Sequence, residues 1–107
     1  MLKINNEAVE NENKVAQYNL EIDVKNDEAK AFEYYKKSAE NGHSIAQNNL
    51  ALLYENGKGT EKDLEAAIYW YKKAAKNGNE DAQSNLGRCY LNGIGVEKDE
   101  MKAFWIL

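Results

Sequence analysis

Two side chains of the 107-residue sequence have the chemistry for nucleophilic catalysis, the single cysteine, Cys89, and the single histidine, His43. A thiolate beside an imidazole base is a known nucleophilic pair. When the chain is compared with itself at an offset of 36 residues, however, Cys89 aligns with Leu53 and His43 aligns with Asn79. The first position belongs to an apolar helical pattern and the second to a loop. The sequence therefore favours a small buried hydrophobe for Cys89 and a capping or solvated side chain for His43.

Acidic residues form two short clusters, each at the start of a predicted helix. They are Glu61, Asp63 and Glu65 in the first cluster, and Glu97, Asp99 and Glu100 in the second. Paired carboxylates can act as general acid and base or bind a hard cation. Acidic side chains at a helix start also accept hydrogen bonds from free backbone N–H groups and complement the helix dipole. Because the cluster recurs with the 36-residue offset, which a catalytic pair rarely does, we interpret both clusters as helix-start residues.

Two Gly-x-Gly pairs, Gly57 with Gly59 and Gly93 with Gly95, resemble part of a phosphate-binding loop. The dinucleotide fingerprint also needs a preceding strand and a third glycine, and the sequence pattern has neither. We therefore assign these glycines to turns. The sequence predicts no catalytic residue, no cofactor and no metal site, and hence no enzyme.

The elements that position these residues are set by an internal repeat. At the offset of 36, residues 46–71 are identical to residues 82–107 at 12 of 26 positions, and residues 27–45 align with 63–81 in the same way. A weaker match begins at Ala16, where Ala-Gln-Tyr-Asn-Leu repeats residues 46–50 at an offset of 30. The first unit therefore lacks six residues, those that carry the tyrosine and the Gly-x-Gly turn elsewhere. We interpret it as a degenerate repeat with a shortened loop.

Each unit predicts two helices, because its apolar residues recur at helical spacing between glycine stops and acidic starts. The predicted helices span about 14–23, 28–40, 44–55, 64–76, 80–91 and 100–107. The chain then divides into a polar N-terminal segment at 1–13, expected to be disordered, the degenerate repeat at 14–42, a repeat at 43–78, and a repeat at 79–107 that stops inside its second helix. A two-helix unit cannot bury its apolar residues alone, so stacked units are expected.

Composition excludes several classes of protein. A formal net charge of -4 does not fit the basic footprint of a nucleic-acid-binding protein. One cysteine cannot form an internal disulfide framework or a cysteine-based zinc cluster. The sequence also has no apolar run of membrane-span length and no signal-peptide core. We expect a cytoplasmic module that neither binds nucleic acid nor inserts into a membrane.

The repeated motif reads Ala-Gln-x-Asn-Leu-(Gly/Ala)-x-x-Tyr-x-Asn-Gly-x-Gly-(Val/Thr)-x-Lys-Asp, followed by Ala-x-x-(Trp/Tyr)-Tyr-Lys-Lys-Ala-Ala-x-Asn-Gly. It resembles the Sel1-like repeat family of αα solenoids over residues 27–107 and, more weakly, over 14–26. The related tetratricopeptide motif has a 34-residue period and a proline near the end of the unit, whereas this chain has no proline. The resemblance implies an all-α fold, a right-handed αα superhelical solenoid of about two and a half repeats.

The resemblance also implies a function, because members of this family mostly act as adaptors that assemble protein complexes. It suggests a non-enzymatic scaffold that binds a protein or peptide through the concave face of the array. One alternative is a structural fragment of a longer signalling or endoplasmic-reticulum quality-control adaptor whose binding surface lies elsewhere. A less favoured alternative is a β-lactam-hydrolysing repeat protein, since that branch ties each repeat with a disulfide that one cysteine cannot form.

Positions that differ between the units 43–78 and 79–107 suggest where a partner binds. On the first helix of each unit, positions separated by four and three residues share a face. They carry Asn48, Leu52 and Glu55 in one unit and Ser84, Arg88 and Leu91 in the next. A constant framework with one varied face is typical of a repeat array that presents a specific surface, although drift at exposed positions gives the same pattern. On the second helices, Tyr34 and Trp70 are large but variable, which suggests a partly exposed ridge.

The last residues of the sequence, Phe104 to Leu107, leave apolar side chains without a following unit or a polar cap. Solenoids need capped ends for solubility. We therefore expect either that the native chain continues or that the protein self-associates through this end.

Overall fold

Five α-helices make up the protein over the residues that its computed structural model describes, the backbone of 6–106 and the side chains of 19–106. The helices are α1 (Asn6–Glu40), α2 (Ser44–Asn56), α3 (Leu64–Lys76), α4 (Glu80–Asn92) and α5 (Glu100–Ile106). No strand occurs within these bounds. The all-α class predicted from the repeat is confirmed.

The helix ends of the units 43–78 and 79–107 match each other. α2 ends at Gly57 and α4 ends at Gly93, with φ angles of 64° and 68° that place both glycines in the left-handed region. The Asp63 side chain accepts a hydrogen bond of 3.0 Å from the backbone N–H of Ala66 at the start of α3. Asp99 accepts one of the same length from Lys102 at the start of α5. These two aspartates are helix caps, as predicted for their clusters.

Consecutive helices pack against each other, so that α2 and α4 form one layer and the second half of α1, α3 and α5 form the other. The buried side chains fall into two clusters. One cluster, between α1 and α2, contains Phe32, Ala39, Ala46 and Leu50. The larger cluster extends from α2 to α5 and includes Ala67, Ile68, Tyr71, Leu86 and Cys89. Tyr54 and Trp70 pack against both clusters and join them.

The second glycine of each Gly-x-Gly pair lies against the second helix of the preceding unit. A Cβ atom on Gly95 would lie 2.8 Å from the carbonyl oxygen of Leu64 and 3.0 Å from Cγ1 of Ile68. A Cβ atom on Gly59 would overlap the carbonyl oxygen of Glu28, which occupies the position of Leu64 in the earlier unit. The glycines are therefore turn residues, as predicted, and they also allow one backbone to contact another between units.

The degenerate first unit differs from its prediction, because α1 runs without a break from Asn6 to Glu40. The helix stop predicted between residues 23 and 28 is wrong. The six missing residues are those that carry the terminating glycine, and without glycine or proline nothing in residues 21–27 ends a helix. Asp27 aligns with the caps Asp63 and Asp99 but lies inside the helix. Residues 6–13 of the segment expected to be disordered form the first turns of α1, and residues 1–5 lie outside the described part.

Helix α1 makes the molecule elongated. The principal extents are 71 × 30 × 20 Å and the radius of gyration is 19.8 Å, against about 13 Å for a compact domain of this length. The 35 residues of α1 span roughly 52 Å at 1.5 Å per residue, so its first half projects beyond the other helices. Leu20 and Val24 on this projecting half are 64% and 47% exposed. None of the helices described combines the length and the apolar character that crossing a membrane requires.

The contact between Gly95 and α3 predicts a difference between two glycine substitutions. Gly95 and Gly78 both have positive φ angles, 68° and 85°, but no atom would meet a Cβ on Gly78 within 4 Å. Gly78→Ala should therefore cost only the backbone strain, about 1–2 kcal/mol, whereas Gly95→Ala should cost about 1–3 kcal/mol more from overpacking against Leu64. Urea unfolding followed by circular dichroism measures both. Equal losses of stability would contradict the contact.

Candidate functional site

The six residues predicted for partner binding do not form one open surface. Asn48 is only 6% exposed, and Glu55 is half-buried, because α4 of the following unit covers this side of α2. Their counterparts on α4, Ser84 and Leu91, are exposed. These four positions therefore point along the array toward the next unit. The expectation that Asn48 belongs to an open variable face is wrong.

Side-chain amides bind the units together near the start of α2. The Asn85 Nδ2 group donates a hydrogen bond of 3.0 Å to Oδ1 of Asn48. Gln47, which is fully buried, donates to the carbonyl oxygen of Ala39 at 3.1 Å and accepts from Nδ2 of Asn77 at 3.0 Å. These bonds satisfy polar groups that would be costly to bury alone. Asn48 thus has a structural role.

A charged contact joins three helices near the end of α2. The Arg88 guanidinium on α4 donates two hydrogen bonds to Glu55, with Nη1 to Oε2 at 3.0 Å and Nη2 to Oε1 at 2.7 Å. The hydroxyl of Tyr71 on α3 donates to the same Oε1 atom at 2.7 Å. The side chains of Arg88 and Glu55 are 38% and 13% exposed. A bidentate contact of this kind has a defined geometry and is stronger than a typical surface ion pair.

Glu55, Arg88 and Tyr71 shift one another's pKa values. The hydrogen bonds from Arg88 lower the pKa of Glu55 against the opposing effect of burial, with a further contribution from Tyr71. The hydrogen bond to Glu55 raises the pKa of Arg88. Burial, together with the hydrogen bond to Glu55, raises the pKa of the Tyr71 hydroxyl. Glu55 is therefore ionised and Tyr71 protonated at neutral pH, so this cluster has neither a free base nor a free acid.

Both charged residues of this contact align with leucines in the other unit. Glu55 contacts Arg88 across the interface between units. The residue at the Glu55 position in the later unit is Leu91, and the residue at the Arg88 position in the earlier unit is Leu52. Variation at these positions therefore reflects packing between units as well as any contact with a partner.

The surface that remains open on α2 and α4 is a narrower stripe, which we call the α2/α4 face. It comprises Ile45 and Leu52 on α2 and Asp81 and Arg88 on α4, each pair seven residues apart and hence on one side of its helix. Ile45 is 71% exposed, and Leu52 is half-buried against the larger core cluster. At the offset of 36 residues, Ile45 aligns with Asp81. Its mismatch with Asp81 is the sequence signal that could have identified it as a surface position.

The predicted ridge on the second helices is only partly open. Tyr34 is 69% exposed, whereas Trp70 is half-buried and packs against both core clusters. Beside it, Tyr69 is 55% exposed, with its ring edge-on to Trp70 at a centroid distance of 5.0 Å. The Lys73 ammonium lies 5.5 Å and 5.4 Å from the centroids of Tyr69 and Trp70. Trp70 is thus mainly a core residue with one accessible edge.

The residues suited to nucleophilic chemistry have structural roles. Cys89 is 1% exposed, and burial raises the pKa of its thiol, which disfavours the reactive thiolate. The interpretation of Cys89 as a buried hydrophobe is confirmed. His43 occupies the N-cap position of α2 without a side-chain cap hydrogen bond, and its Nδ1 atom lies 3.0 Å from Oγ of Ser38. Within the part of the chain that the structure describes, no three His, Cys, Asp or Glu side chains form a metal site.

The bidentate contact between Glu55 and Arg88 predicts the response of this interface to mutation. Glu55→Leu alone should lower the free energy of unfolding by about 1–3 kcal/mol, because it leaves the Arg88 guanidinium and the Tyr71 hydroxyl without their acceptor. Adding Arg88→Leu should recover much of that loss, since it removes the unpaired guanidinium and lets two apolar side chains pack in its place. Chemical unfolding of both single variants and the double variant measures the coupling. Additive effects would contradict a direct interaction.

The lowered pKa of Glu55 predicts a specific dependence of stability on pH. A carboxyl group whose pKa is lower in the folded state stabilises the fold above its ordinary value of 4.5, and this contribution is lost as the pH falls through the folded pKa. The stability difference between the wild type and Glu55→Gln should therefore be full above about pH 5.5 and shrink below pH 4.5. Glu33→Gln, at an exposed position of α1, is the control. A difference that stays constant from pH 7 to pH 3 would contradict the role of Glu55.

Solved structures share this arrangement of helices. A Sel1 repeat protein from Oxalobacter formigenes matches with a TM-score of 0.73 at 37% sequence identity, covering 74% of this chain and 23% of that one. A protective antigen of uropathogenic Escherichia coli that displays an SLR fold matches with a TM-score of 0.72 at 32% identity, covering 92% and 22%. Cysteine rich protein B of Helicobacter pylori matches with a TM-score of 0.67 at 35% identity, covering 70% and 56%.

Curated relatives match over a shorter stretch. DAP3-binding cell death enhancer 1 from Rattus norvegicus and that from Mus musculus are each 50% identical to this chain over 34 residues. These residues make up 32% of this chain and 7% of each relative. The chain therefore spans a small part of the length of those relatives.

The family model of the Sel1 repeat matches three successive stretches, residues 13–43, 44–79 and 80–107. Together they cover most of the sequence, including the degenerate first unit. The chain belongs to the Sel1 repeat family, as the resemblance of its motif predicted.

Proposed function

We propose that this chain is a protein-binding adaptor that holds a segment of its partner on the α2/α4 face. Sel1 repeat proteins are generally protein-interaction modules. One relative is itself named for binding a protein. The proposal extends this general role to one face of this chain, the concave face expected from the resemblance, and assigns it no catalytic step.

The observation that carries the proposal is the exposure of Ile45. An isoleucine 71% exposed on a helix contributes nothing to the core, whereas Leu52, two helical turns along the same side, already packs against it. The two side chains lie on one side of α2, and the guanidinium of Arg88, whose side chain is 38% exposed, contacts the same helix through Glu55. This pattern suits a helix or extended segment that presents apolar anchors at a spacing of about two helical turns. Ser84 and Leu91 lie at the edge of the same face.

A structural role is the second candidate, because the last helix leaves large apolar side chains open. Phe104 and Trp105 on α5 are 73% and 78% exposed. Ile68, which aligns with Phe104, is 6% exposed beneath the loop that carries Gly95. Self-association through this end, or cover by another repeat, remains a proposal. So does a cytoplasmic location.

Selection of peptides from a displayed random library against the immobilised protein tests the proposed face. Selected peptides should bind Ile45→Asp at least about tenfold more weakly than the wild type, because a carboxylate replaces the apolar anchor. The fold should be unaffected, since Ile45 is largely exposed. Tyr69→Asp, the same kind of change at an exposed aromatic residue on α3, is the matched control and should bind normally. Peptides that are insensitive to Ile45→Asp but lost with Tyr69→Asp would place binding on the aromatic ridge and contradict the proposal.

A further inference from the structure

Leu20, in the first half of α1, is largely exposed although its counterparts in the later units are buried. In the units 43–78 and 79–107 the leucine of Ala-Gln-x-Asn-Leu is buried, with Leu50 at 0% and Leu86 at 6% exposure. Leu20 ends the same motif in the first unit and is 64% exposed. The continuous helix carries this residue away from the body, so an apolar surface built for a core faces solvent.

The second half of α1 has one side that is more exposed than the corresponding side of α3. In α3, the residues that face the first helix of the same unit, Ala67, Tyr71 and Ala74, are buried at 2%, 0% and 0% exposure. Their counterparts in α1 are Ala31, Tyr35 and Ser38, and all three are partly exposed. Phe32 and Ala39, which face α2, are buried as expected. The open side of α1 is thus the side on which a first helix packs in the complete unit 43–78.

Leu20 and Val24 lie on the same face of α1 as the open side of its second half. At 100° per residue, Leu20, Val24, Ala31, Tyr35 and Ser38 fall within an arc of about 60°. A straight helix cannot fold its first half onto its second half. An identical helix lying antiparallel can cover both halves at once, because antiparallel pairing places the first half of each copy on the second half of the other.

The complete unit 43–78 also indicates the register of such a pair. The bounds of α2 (Ser44–Asn56) and α3 (Leu64–Lys76) place residues whose numbers add up to about 120 opposite each other. After subtraction of the offsets of 30 and 36, the same pairing places Leu20 opposite Tyr34 of the second copy and Val24 opposite Lys30 and Ala31. The numbers of two residues that lie opposite each other then add up to about 54. A residue on the two-fold axis lies opposite itself, so the axis passes close to residue 27, which is Asp27. On the flanks of this face, Asp23 lies opposite Lys30 of the second copy and Lys25 lies opposite Glu28. Charge complementarity therefore supports the same register as the apolar contacts.

We propose that two copies of this chain associate through an antiparallel pair of α1 helices, each copy supplying the first helix that the other lacks. The loss of six loop residues explains the exchange, because a hinge too short for a hairpin favours domain swapping. This surface is separate from the α2/α4 face, so the proposal stands independently of the proposed function. It also differs from self-association through the end of α5.

The oligomeric state of wild type and variants tests the surface. Light scattering after size exclusion should give twice the chain mass of 12.2 kDa at tens of micromolar protein. The double variant Leu20→Asp with Val24→Asp should elute as a monomer of unchanged helicity at the same concentration. Ile22→Asp, on the opposite side of α1 at 38% exposure, should remain dimeric. A monomeric wild type, or a dimer lost with Phe104→Asp but not with Leu20→Asp and Val24→Asp, would overturn the proposal.

Restoring the missing loop tests the exchange itself. Inserting Asn-Gly-Lys-Gly-Thr-Glu, the sequence of residues 56–61, between Lys25 and Asn26 brings the first unit into register with the second. The first helix should then fold back onto its own chain, and the dimer should become a monomer with the same or higher stability. A dimer that persists with this insertion would contradict the exchanged arrangement.

The position of the two-fold axis has its own test. Two Asp27 carboxylates lie close together at the axis and repel each other, so Asp27→Asn should lower the dimer dissociation constant by about threefold or more. Asp23→Asn removes an attraction and should raise it. An Asp27→Asn variant that binds itself more weakly than the wild type would contradict this register.

Discussion

The close approach of a glycine backbone to the helix of the preceding unit is the contact on which the array depends. Gly95 lies so near the carbonyl oxygen of Leu64 that a single methyl group would overlap it, and Gly59 lies in the same way on Glu28. Because the contact is made by backbone atoms, the distance between units depends little on the side chains around it. The neighbouring helices can then carry different residues while the units keep the same spacing.

Contacts between the two core clusters couple the stability of neighbouring units. Tyr54 and Trp70 contact both clusters of buried residues, so disrupting one cluster removes contacts from the other. The polar contacts between units, from Asn48 to Asn85 and from Glu55 to Arg88, also join residues more than 25 positions apart in sequence. An array linked in this way loses its units together, whereas weakly coupled repeats unfold one after another.

Much of the architecture is predictable because the repeat compares each residue with a counterpart in the same environment. The four helices α2 to α5, the caps Asp63 and Asp99 and the burial of Cys89 all follow from that comparison. The continuous α1 was not predicted, because the shortened segment between the two halves of the first unit was interpreted as a loop. That segment contains no residue that ends a helix. The direction of Asn48 and Glu55 was missed as well. Helical spacing shows which residues share a face, but it does not show which neighbour that face meets.

The bidentate contact between Glu55 and Arg88 also restricts how this array can grow or be rearranged by gene duplication. Repeating residues 43–78 in tandem would place Glu55 of one copy against Leu52 of the next, leaving a half-buried carboxylate without its guanidinium. Repeating residues 79–107 would set Leu91 against Arg88 and cause the opposite mismatch. Units of this array are therefore not interchangeable modules. The contact at each interface depends on the order of the units. A duplicated unit therefore needs a compensating substitution at the Glu55 or Arg88 position to restore a matched contact.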